Sequence, residues 1–134
     1  MSGLGAALAA ASSSSWTQRV RAGRDLACFA HVPEAAEVLV GLLLDVEDTA
    51  VTRRTAEALA RTGTAAAVRL IAVAVVEADG NQADWLQTGV HDALVGRDGG
   101  RAVAAACRRL AQGQEEAVRR GAAEISAWTD DTGR

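Results

Sequence analysis

The chain has no lysine and no tyrosine, a single proline and only two cysteines in 134 residues. Phenylalanine occurs once and tryptophan three times. So few aromatic residues exclude a β-sandwich or barrel, which draws on β-branched and aromatic side chains and on many turn signals. Cys28 and Cys107 lie far apart and do not make a disulfide scaffold. The richest apolar runs, residues 38–44 and 71–76, fall well short of the roughly 20 residues that span a bilayer. A basic surplus is also missing. Fourteen arginines stand against 17 acidic residues, for a net charge of −3, which argues against a general nucleic-acid binder. The start is apolar and lacks the basic n-region of a secretory signal. A cytoplasmic protein is expected, and arginine without lysine points to a GC-rich bacterial genome.

What the chain has in abundance is alanine, 31 residues of 134. Alanine is the strongest helix former, so an all-α protein is expected. The length suits one domain, and such a chain buries about two-thirds of its unfolded surface. Between Pro33 and Leu44 the apolar positions are Ala35, Val38, Leu39, Leu42 and Leu43. Between Thr64 and Glu77 they are Val68, Ile71, Ala72, Val75 and Val76. Both sets follow the i, i+3, i+4, i+7 spacing of one buried helical face. Pro33 suits a first helical turn, Thr49 and Thr64 suit N-caps, and Gly63, Gly80, Gly99, Gly100 and Gly113 mark boundaries. The reading is seven helices, near 16–31, 33–45, 49–62, 64–78, 82–96, 100–112 and 114–128. Residues 1–15 are expected to be a flexible Ala/Ser-rich tail, 16–129 the folded domain, and 130–134 a frayed end.

A repeat underlies these helices. Val20, Val51, Leu86 and Val118 stand 31, 35 and 32 residues apart. Seven positions after each comes Ala27, Ala58, Ala93 or Ile125, and eight after comes Cys28, Leu59, Leu94 or Ser126. This is the pattern of a helical-hairpin array in which neighbours share a continuous core. The stretch Asp48-Thr-Ala-Val51-Thr-Arg53-Arg54-Thr-Ala56-Glu-Ala58-Leu59-Ala60-Arg61-Thr-Gly63 resembles a bacterial HEAT or HEAT-like repeat of the PBS-lyase type. It has the Asp before a Val-x-Arg, the Ala-Leu face and the Gly turn together, and residues 115–123 repeat its front half. The resemblance implies a short right-handed α-solenoid of three to four hairpins, with a role in protein interaction and, in some members, nucleic-acid binding. It supplies no universal catalytic residue.

Chemistry-bearing residues are sparse. Catalysis needs a convergent base, nucleophile or metal. His31 sits at a helix end and His91 beside an apolar face, with no partner at catalytic spacing. Cys28 and Cys107 read as small core hydrophobes. Two His and two Cys without a CxxC or HxxxH pair give no zinc site. No catalytic residue, metal or cofactor is expected. The charged repeat positions say more. Arg53 and Glu57, and Arg120 and Glu124, are i, i+4 neighbours and are expected to pair along their own helices. Stacking helices about 8–10 Å apart would also align Glu57, Asp92 and Glu124 into an acidic column. Trp85 immediately precedes its anchor and offers an aromatic contact, while Trp16 and Trp128 are placed to cap the ends of the core.

These features favour a monomeric, non-enzymatic module that binds another protein. Its surface is expected to be Arg53, Glu57, Trp85, Asp92, Arg120 and Glu124, on the second helices of the hairpins. An immunity protein that neutralises a co-encoded toxin fits the size and charge. The opposite surface, with Glu34 and Glu37, is the competing location. The alternative function is nucleic-acid binding through Arg19, Arg21, Arg24, Arg53, Arg54, Arg61, Arg119 and Arg120, against which the interleaved carboxylates stand because they repel phosphates.

Overall fold

The computed structural model describes residues 3–95 and 99–132. Every regular element among them is helical: α1 (Gly3–Ala10), α2 (Trp16–Leu26), α3 (Pro33–Leu43), α4 (Thr49–Thr62), α5 (Ala65–Glu77), α6 (Gly80–Leu94), α7 (Gly99–Leu110) and α8 (Glu116–Thr132). A 3-10 turn over Ala27–Phe29 follows α2. None of these helices is long and apolar enough to cross a membrane.

The boundaries follow from local chemistry. Pro33 occupies the first turn of α3, where its missing N–H is not needed. Asp48, rather than Thr49, caps α4: its carboxylate accepts the Ala50 N–H at 2.9 Å. Thr49 is already the first helical residue. Gly63 ends α4 with φ 68°, a left-handed conformation that favours glycine. Thr64 then caps α5 by accepting the Ala67 N–H at 3.1 Å. Asp79 and Gln82 form a reciprocal capping box on α6, so that helix starts two residues earlier than its apolar pattern suggests.

Among the described residues there are eight α-helices in place of the seven expected. Residues 3–10, read from the sequence as part of a tail, form α1, which packs on α2 and buries Ala7. Arg19 of α2 ties the link between α1 and α2 to the segment after α3, its guanidinium donating to the Ser13 carbonyl and to the Asp45 carboxylate, each at 2.9 Å. At the other end α8 continues to Thr132; residues 133–134 of the expected frayed end lie outside the described residues.

Helices α2, α4 and α6 lie side by side with α4 in the middle, while α3, α5 and α7 form a second row. Helix α8 packs chiefly on α5 and α7 and less on α6. The four repeat anchors Val20, Val51, Leu86 and Val118 are all buried, as are Leu59 and Leu94 eight positions on. Cys28 is not. Helix α2 ends at Leu26, and the tighter winding of the 3-10 turn leaves Cys28 exposed, its Sγ donating to the Asp25 carbonyl at 3.7 Å. Cys107 does lie in the core. Of the two terminal tryptophans, Trp128 is buried and Trp16 is 48 % exposed, so only Trp128 covers the core.

Candidate functional site

Three glycines set how closely the helices approach. A Cβ on Gly89 of α6 would run into the Arg53 carbonyl and the Ala56 side chain of α4. One on Gly121 of α8 would run into the Ala72 backbone of α5, and one on Gly23 of α2 would meet the Thr55 hydroxyl of α4. Close contact at Gly89 places the α6 residues one turn away on either side, Trp85 and Asp92, directly over Arg53. The Arg53 Nε donates to Asp92 Oδ2 at 2.7 Å, and its Nη2 donates to Oδ1 at 3.2 Å. The same guanidinium lies 6.0 Å from the centre of the Trp85 ring, within the range of cation–π attraction.

This geometry corrects the pairing read from sequence. Arg53 reaches across to α6 instead of down its own helix to Glu57. Glu57 is held by Arg54 at 3.0 Å and Arg61 at 2.8 Å, three positions before it and four after. The Arg61 guanidinium also donates to the Asp92 carbonyl at 3.4 Å, joining both clusters. Among the described residues Arg120 and Glu124 form no ion pair, with each other or elsewhere.

Charge in the cluster is fixed. The hydrogen bond from Arg53 holds the Asp92 carboxyl below its ordinary range, against a smaller opposing effect of burial. The bond to Asp92 likewise raises the Arg53 pKa. Partial burial pushes Glu57 upward, but the hydrogen bonds from Arg61 and Arg54 together bring it below the usual carboxylate value. Burial raises the Cys107 thiol above its ordinary range, offset in part by Ser126 and by the charge of Arg108.

Of the six residues expected to form one surface, four are therefore together: Arg53, Glu57, Trp85 and Asp92. Arg120 and Glu124 are on α8 and line a separate groove with Trp128, on the flank of α6 that carries Asp84 and Gln87. The acidic column does not form. Glu57 and Asp92 are each neutralised by arginines, and Glu124 is on the far side of α6. Arg54 and Arg61, read from the sequence only as part of the nucleic-acid alternative, also belong to the cluster, as does Gly89, which was not singled out. Among the described residues no group of His, Cys, Asp and Glu is disposed to hold a metal ion. Comparison with protein-family models, with curated proteins and with solved structures finds no match.

Proposed function

We propose that this chain is a non-catalytic protein-interaction module that presents the α4–α6 seam to a partner protein. The observation that carries the reading is Trp85, a partly exposed aromatic ring held under Arg53, which is itself fixed by two hydrogen bonds to Asp92. An ordered aromatic residue among oriented charges loses little side-chain freedom on binding, and such residues dominate interface energies. Arg53 supports a protein partner over a nucleic acid, because its guanidinium is already committed to the Asp92 carboxylate. Arg19 is buried against Asp45, which removes it from any phosphate-binding surface.

The layered α2–α4–α6 row and the burial of all four repeat anchors support a short HEAT-like stack, in which α8 closes the array by folding over α5. The narrower role of an immunity protein that neutralises a co-encoded toxin accords with the small size and the charge of −3. The test uses the partner recovered with the chain from its native cells and measures its affinity for Trp85→Ala, Asp92→Arg and Glu37→Arg. Loss of about ten-fold or more with the first two, with Glu37→Arg unchanged, is the expected result. Loss with Glu37→Arg alone moves the site to α3 and defeats the proposal.

A further inference from the structure

A second groove adjoins this cluster on the α2 side of α4 and shares Arg54, Glu57 and Arg61 with it. One depression is bordered by Arg24, Arg54, Glu57, Ala58 and Arg61. The next is bordered by Trp16, Val20, Arg21, Arg24 and Arg54. The two share Arg24 and Arg54 and so form one trough. Its walls carry four guanidinium groups against the single carboxylate of Glu57, a local excess of positive charge on a chain whose net charge is −3. Glu57 uses its two oxygens to hold Arg54 and Arg61, whose side chains remain 46 % and 56 % exposed. Arg21 and Arg24 are exposed and form no ion pair among the described residues. The trough ends at Trp16, the most exposed aromatic ring among the described residues.

We infer that the α2–α4 trough binds an acidic segment of the partner protein, with its carboxylates on Arg21, Arg24, Arg54 and Arg61 and an apolar side chain against Trp16. This rests on the protein-interaction reading and names the chemistry of the partner. Guanidinium forks match carboxylates in geometry as well as charge. Glu57 engages Arg54 and Arg61, whereas Arg21 and Arg24 have no carboxylate partner among the described residues, so the trough suits separated carboxylates on a peptide.

The test is fluorescence anisotropy with a labelled peptide of repeating Asp, Glu and Leu, at low salt. The comparison probes are the same peptide with Asn and Gln in place of the acids, and oligothymidylate. Arg24 and Trp16 are surface residues, so Arg24→Gln and Trp16→Ala should leave the fold intact. Arg101→Gln, on the exposed face of α7, serves as the control. The acidic peptide is expected to bind, about ten-fold more weakly with Arg24→Gln, more weakly with Trp16→Ala, and unchanged with Arg101→Gln. The amide peptide should not bind. Failure of the acidic peptide, or its indifference to Arg24→Gln, overturns this inference alone, since Trp85 lies outside the trough and its own variants judge the α4–α6 site. Binding of oligothymidylate in place of the acidic peptide overturns this inference and makes the trough a nucleic-acid site, while the Trp85 variants still judge the α4–α6 site.

Discussion

Thr55 is fully buried on α4, and its hydroxyl has no hydrogen-bond partner among the described residues. A buried hydroxyl left unpaired has lost its water without compensation. Replacement by the near-isosteric valine should raise stability by about 1 kcal/mol, seen as a higher urea midpoint at unchanged slope. A lower midpoint would mean that the hydroxyl is satisfied. The Asp92 carboxylate has the opposite character. Its folded pKa is depressed by Arg53, so its contribution is complete above the unfolded carboxylate pKa of roughly 3.9 and is lost as pH falls through the lower folded value. Asp92→Asn should therefore cost about 0.5–1 kcal/mol at pH 7, with the difference from wild type shrinking as pH falls below about 4. Urea titrations at several pH values measure this. A difference that grows in acid contradicts the assigned ion pair.

At the scale of the element, the glycines divide by what faces them. Gly41 on α3 has no atom near where a Cβ would stand, while Gly89 on α6 has the Arg53 carbonyl there. Gly41→Ala should stabilise by about 0.5–1 kcal/mol through helix propensity. Gly89→Ala should destabilise by about 1–3 kcal/mol, because it forces α6 off α4. Thermal unfolding monitored by circular dichroism reads both signs, and equal shifts would refute the close crossing. This crossing was legible in the sequence. Gly23, Gly89 and Gly121 each stand three positions after a repeat anchor, Val20, Leu86 and Val118, yet an isolated glycine in a helical pattern reads first as punctuation. Thr49 and Asp48 are both good caps, and only the backbone path decides that Asp48 takes the position. The fate of Cys28 depends on where α2 changes to a 3-10 turn, a boundary that periodicity does not fix.

For the molecule as a whole, apolar positions spaced i, i+3, i+4, i+7 foretold the helices after α1, because burial acts on each helix separately. How the last helix packs was not legible. The anchor at Val118 pointed to a fourth copy beside α6, whereas α8 settles mainly on α5, where Gly121 permits close contact. That choice separates Arg120 and Glu124 from the other four site residues. The site was legible as a set of residue types but not as a set of pairs, since Arg53 chooses Asp92 of another helix over Glu57 of its own only once the helices have docked. Hydrogen–deuterium exchange of the chain with its purified partner tests the central claim most directly. Backbone protection is expected over Thr49–Thr62 and Gly80–Leu94, with Pro33–Leu43 unchanged. Protection confined to Pro33–Leu43, or spread over neither surface, contradicts an α4–α6 binding site.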